Sequence, residues 1–174
     1  MDSNFWKDRY SDSWDKAAQK ERMVIEKIEN GTGKKVDLFG LGAGSTEYLS
    51  GSAAENNSNK GDADLYIKDS KVFIEVTGPN IKVNSTDSLW IRPDKIQNAL
   101  NKISKDEGYT CYVVHVIERK DNSQILIRVI PISNELNTFP IITPRIRGTV
   151  ETYRDIPASY NKILTFEEFL TLIR

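Results

Sequence analysis

The feature that most constrains this chain is a pair of short β-rich runs, residues 62–67 and 72–76, flanking the turn-like Lys68, Asp69, Ser70 and Lys71. They read as the two strands of a hairpin. Side chains of a strand alternate between its faces. Asp62, Asp64 and Tyr66 therefore share one face, and Ala63, Leu65 and Ile67 the other. On the second strand Val72, Ile74 and Val76 alternate with Phe73, Glu75 and Thr77. A two-residue and a four-residue turn give the same register, which sets Asp64 opposite Glu75 and Asp62 opposite Thr77. Directly opposed carboxylates have Cβ atoms about 4.5–5.5 Å apart and repel each other. A hard divalent cation relieves that repulsion, since Mg²⁺ is typically held by one or two carboxylates with water and substrate phosphate. The alternative is a plain solvent face with both acids hydrated.

A third acid bears on that choice. Residues 13–30 read as a helix, with Val24, Ile25 and Ile28 as its apolar stripe and the stretch from Asn30 to Gly33 as its stop. Glu21 precedes those residues by three, four and seven positions and so shares their face, whereas Glu26 and Glu29 lie off it. Glu21 is either an edge residue of the buried face or a ligand aimed at the sheet.

Along the rest of the chain, residues 36–39 suit a short strand, and 40–59, rich in Gly, Ser and Asn, a loop. A polar loop over 78–88 leads to Leu89, Trp90, Ile91 and Arg92. Residues 93–105 read as a helix with Pro93 near its first turn and Ile96, Ala99, Leu100 and Ile103 on one face. Residues 109–118 and 124–132 form a second hairpin, 134–161 look mostly irregular, and a last helix begins at a capping-box pattern, Thr165 with Glu168. The expected fold is α/β: one domain spanning 1–174, with a central mixed β-sheet flanked by helices.

Composition narrows the partners. A net charge of −1 means that any nucleic-acid surface must be local rather than global. No run approaches the ~18 apolar residues of a membrane span. The polar N-terminus lacks the apolar core of a signal peptide. One cysteine, Cys111, rules out an intrachain disulfide and a cysteine-based zinc site. A reducing, cytoplasmic setting with no membrane partner is expected.

The helix with Glu21, the strand with Asp64, and the next strand with Glu75 two residues before Thr77 resemble the PD-(D/E)XK nuclease superfamily, over residues 13–132. The following helix (93–105) and strand (109–118) fall in that family's order. The resemblance implies a restriction-endonuclease-like core, Asp64 and Glu75 as metal ligands, Glu21 in support, and the carbonyl of Val76 as a further ligand. It also implies Mg²⁺ (or Mn²⁺) as cofactor, DNA as substrate, and homodimerisation. The departure is Thr77, where the family usually has a lysine that orients or deprotonates the attacking water. Threonine can hold a water but supplies no charge. Lys95, at the start of the next helix, is the first choice to replace it and Lys82 the second; otherwise metal and Glu75 act alone, or catalysis is lost. The expected activity is thus metal-dependent hydrolysis of DNA. The rivals are a non-catalytic nucleic-acid- or protein-binding module and a nuclease for RNA.

Trp90 and Arg92, beside this site, suit base stacking and phosphate contact, as does Lys82; core packing is the other reading of Trp90. Arg145 and Arg147 form a second basic pair or a solvated loop. Gly31 to Lys35 lacks the glycine spacing of a phosphate loop. His115 alternates with Val114 and Val116 and reads as structural, and Cys111 as a small buried residue.

Overall fold

The structure, a computed structural model, describes residues 11–39, 63–105 and 108–174, with positions 11–14 as backbone only. Asp62 and the loop expected over 40–59 lie outside the described residues.

Helix α1 (Ser11–Thr32) runs two residues past the expected stop and ends where Gly33 takes a positive φ of 71°. Strands β1 (Asp37–Leu38), β2 (Leu65–Ile67) and β3 (Val72–Thr77) follow. Next come β4 (Leu89–Ile91), α2 (Pro93–Lys105), β5 (Thr110–Glu118) and β6 (Ile125–Pro131). The main sheet has six strands in the order β1-β2-β3-β5-β6-β11, with β11 at Leu164–Thr165. Its pairs are antiparallel except β3 and β5, which run parallel and are joined through α2. The fold is therefore α/β with a mixed central sheet. A parallel pair needs a crossover connection, and α2 supplies it.

The two faces of the sheet carry separate cores. On one face, Leu65, Ile67, Val72, Ile74, Val114, Val116 and Val129 pack under Val24 and Ile28 of α1 and Phe169, Leu170 and Ile173 of α3 (Phe166–Ile173). The α3 capping box forms as its sequence requires: the Thr165 side chain accepts from the Glu168 N–H, and the Glu168 carboxylate from the Thr165 N–H. On the other face, Phe73, Cys111, Val113 and Ile130 pack under Ile96 and Ala99 of α2 and under Leu89, Ile91, Leu136 and Ile156.

That second cover corrects the reading of 134–161 as mostly irregular. The segment holds a 3₁₀ turn (Asn134–Thr138) and strands β7 (Ile141–Ile142), β8 (Arg145–Ile146), β9 (Thr149–Val150) and β10 (Tyr153–Ile156). Strand β10 pairs with β4 and β7 in a small three-stranded sheet, and β8 with β9 in a ribbon. Strands of two to four residues are too short for an alternation to show in sequence, and β10 is set by its pairing with β4, far away in the chain.

Candidate active site

The hairpin forms in the expected register, with Leu65 opposite Ile74, Tyr66 opposite Phe73 and Ile67 opposite Val72. Its regularity ends at Asp64. The Asp64 N–H donates to the Ile74 carbonyl at 2.9 Å, one residue out of step with that register. The Asp64 carboxylate then takes the next ladder position, accepting from the Val76 N–H at 2.8 Å. This bend corrects the expected alternation. Ala63 packs on the Phe73 side of the sheet instead of sharing the face of Leu65 and Ile67.

Asp64 is 7% exposed, and its charge acts on the neighbouring Glu75 carboxyl. Burial lifts the Glu75 carboxyl well above its usual range, and the Asp64 charge adds to the effect while Lys95 opposes it. Asp64 is raised by burial too, against the pull of Lys95 and the Val76 N–H.

Lys95 projects from the first turn of α2 and donates from Nζ to Glu75 Oε2 at 2.7 Å; the two side chains are 16% and 13% exposed. Burial works against its charge, but Glu75 and Asp64 outweigh burial and raise its pKa above the ordinary lysine value. Lys95 therefore stays cationic at neutral pH. The sequence names all three members of this cluster.

The other expected residues divide. Glu21 is 4% exposed on the buried stripe of α1, as its spacing requires. That helix covers the sheet face opposite the one taken by Phe73 and Glu75. Among the described residues, no group of three or more His, Cys, Asp or Glu side chains is placed to hold a metal ion. Thr77 ends β3, in register with His115 on β5. Lys82 turns away to Glu118 and Ser123, at 3.1 and 2.6 Å, so it does not serve the acid pair. Trp90 is 40% exposed rather than part of the core; its Nε1 donates to Asp155 Oδ1 at 2.9 Å, and its ring lies 5.8 Å from that of Tyr153. Arg92 is exposed and pairs with Asp94 at 2.6 Å. Arg145 and Arg147 belong to the β8–β9 ribbon and its turn, not to an irregular loop.

Two arrangements had no sequence signal. Lys20 Nζ donates to the carbonyls of Gly78 and Pro79 and to Asn80 Oδ1, at 2.9, 2.9 and 3.0 Å, fastening the chain just beyond β3 to α1. Burial, with Lys16 nearby, lowers its pKa to about 8. Arg128, 6% exposed, lies 3.4 Å from His115 Nδ1 and donates to the carbonyls of Ser85 and Asp87. Burial, then the charges of Arg128 and Lys20, push the His115 pKa down to about 3, so this histidine is neutral and structural.

The donor set fits a hard divalent cation. Asp64 and Glu75 have carboxyl groups whose pKa values burial raises, and their oxygens are of the kind that Mg²⁺ and Mn²⁺ prefer. Among the described residues no third acid joins them in a metal-holding group, so such an ion would draw its remaining ligands from main-chain oxygen, water and substrate. No family model matches the chain, and no curated protein is similar to it at a significant level. No described helix is long and apolar enough to cross a membrane.

Proposed function

We propose that the protein is a divalent-metal-dependent nuclease that hydrolyses phosphodiester bonds of DNA on a restriction-endonuclease-like core. The observation that carries this reading is the 2.7 Å pair between Lys95 Nζ and Glu75 Oε2. It sets a lysine beside an acid pair on a hairpin whose own sequence has threonine where the resembled family has lysine. The order α1, β1, β2, β3, β4, α2, β5, with an antiparallel hairpin followed by a parallel return, also supports it.

In this reading Asp64, Glu75 and the Val76 carbonyl hold Mg²⁺ or Mn²⁺. The ion supplies Lewis acidity toward the phosphate and acidifies a water. The Val76 N–H fixes Asp64, so its rotamer is set before any ligand arrives. Glu75 aims the Lys95 ammonium, which offsets negative charge gathering on the phosphate. Thr77 contributes a neutral hydroxyl able to hold water by hydrogen bonding.

Plasmid cleavage with and without Mg²⁺ or Mn²⁺ tests the proposal. The parent cuts only with metal, and Asp64→Asn and Glu75→Gln lose cutting and metal binding together. Cutting that survives Glu75→Gln overturns it. That no third acid joins the pair among the described residues favours one other reading, a binding module on this fold; it is distinguished by metal-independent DNA binding with no cutting under any metal.

A further inference from the structure

Beside the acid pair, on the same side of the sheet, aromatic rings are chained together and cations lie over them. Tyr66 stacks on Phe73, with centroids 4.5 Å apart and planes at 25°. Phe39 meets Phe73 edge-on at 5.0 Å, and Tyr109 lies 5.3 Å from Phe73. Phe73 is buried at 8% exposure, while Phe39, Tyr66 and Tyr109 are only half-buried. Lys102 Nζ sits 4.8 Å from the Phe39 centroid and 4.9 Å from that of Phe73, and Lys71 Nζ 5.5 Å from that of Tyr109. Asp37, opposite Tyr66 in register, has Lys35 at 3.9 Å.

This track opens onto the proposed catalytic cluster. Phe73 precedes Glu75 by two residues on one face of β3, about 7 Å along the strand. Lys102 follows Lys95 by two helical turns, about 10 Å along α2. Phe73 and Lys102 line the same hollow as Glu75 and Lys95.

We propose that this aromatic–lysine track seats an unpaired strand of DNA and leads it to Asp64, Glu75 and Lys95. The inference rests on the nuclease reading and names its substrate form. Half-exposed rings offer stacking planes to bases, and the lysines follow the phosphates, which is how single strands are held without sequence readout. In a duplex each base already stacks on its neighbours, so the rings gain nothing there. Lys71 and Lys102 favour a polyanion over an apolar peptide.

The test is fluorescence anisotropy of a labelled thymidine oligonucleotide, and of a duplex of equal length, in chelator so that nothing is cut. The parent binds the single strand about ten-fold tighter than the duplex. Tyr109→Ala weakens single-strand binding by about five-fold to a hundred-fold. Lys71→Gln at the exposed edge, and Lys102→Gln checked for folding by its melting temperature, each reduce the salt slope by about 0.7. Glu75→Gln binds at least as well as the parent. Equal affinity for both DNA forms, affinity indifferent to salt as for a peptide groove, or folded lysine variants with the parental slope overturns the track. If the track binds as stated but no DNA is cut with Mg²⁺ or Mn²⁺, the nuclease reading fails and the track stands. If DNA is cut and the track variants match the parent, only the track fails.

Discussion

Replacing Lys95 with methionine keeps the length of the side chain and removes its charge from beside two buried acids. Breaking a buried ion pair costs about 3–5 kcal/mol when the surviving charge has no escape. Two features lower that figure here. The Lys95 and Glu75 side chains retain 16% and 13% exposure. The acid pair, whose pKa values burial already raises, can also take up a proton instead of staying charged. The expected loss near pH 8 is therefore about 2–3 kcal/mol. In a chain of this size that is a fall in melting temperature of roughly 5–10 °C. The loss must depend on pH. Lys95 lowers both acids, so its removal raises their folded pKa values further above the ordinary 3.8 and 4.5. An acid raised in the folded state favours folding while protonated, and that contribution disappears as pH climbs through the folded value. The Lys95→Met defect should thus shrink toward pH 5 and grow toward pH 8. Thermal or urea melts of metal-free protein at both pH values measure it, and Glu75→Gln in the same chain should recover at least half of the loss at pH 8. A defect equal at both pH values, or no recovery in the double variant, refutes the assignment of Lys95 as counter-charge to this pair.

Glu75→Gln alone should leave the metal-free fold as stable as the parent near pH 5 and more stable near pH 8. Burial and Asp64 raise the Glu75 pKa, so its ionisation opposes folding as pH rises past 4.5; melts across that range decide it, and a variant that melts lower than the parent at pH 8 would make the acid structural. Gly78→Ala should be severely destabilising, because the backbone there has φ 144° and a Cβ would stand 2.0 Å from the Val116 carbonyl oxygen. A loss of more than about 3 kcal/mol in a urea melt is expected, and a variant within 1 kcal/mol of the parent would show that β3 and β5 can part at this point.

The hairpin was legible because its information is local. The alternation over Val72–Thr77 and the turn at Lys68–Ser70 specify a register, and that register carries the chain to Leu65 opposite Ile74, one residue short of Asp64 and Glu75. Helix α2 was legible to the residue, since Pro93 opens it and Ile96 and Ala99 repeat at helical spacing. Lys95 could be named because the first turn of a helix following the hairpin lies within reach of a long side chain. The slip at Asp64 could not be read in advance: it depends on a side-chain carboxylate replacing a carbonyl at the Val76 N–H, and period-2 reasoning has no term for that. Nor could the face covered by α1 be read, because an amphipathic stripe tells which side of the helix is buried but not which side of the sheet buries it. The aromatic track stayed hidden for a similar reason. Phe39, Tyr66, Phe73 and Tyr109 come from four separate segments of the chain and meet only when β3 pairs with both β2 and β5.

A lysine at position 77 would meet an unfavourable row of residues at the end of β3. Thr77, His115 and Arg128 are register partners across β3, β5 and β6. This row already holds a buried guanidinium, fastened to the Ser85 and Asp87 carbonyls and separated from Thr77 by one neutral histidine. Strands lie about 4.8 Å apart, so a lysine at 77 would enter a row with a cation roughly 10 Å away. Lys20, whose charge also reaches His115, fastens the chain immediately after Thr77. A third positive group there would face two others in a poorly solvated region, where like charges repel more strongly than in water. A lysine arriving from α2 avoids that row and meets the acids from above, where both Glu75 and Asp64 favour its charge. Arg128→Met should then make Thr77→Lys easier to accommodate. Melts of the two single variants and the double variant give the coupling. A double variant no more stable than the sum of its parts would separate the choice of threonine at 77 from the buried arginine.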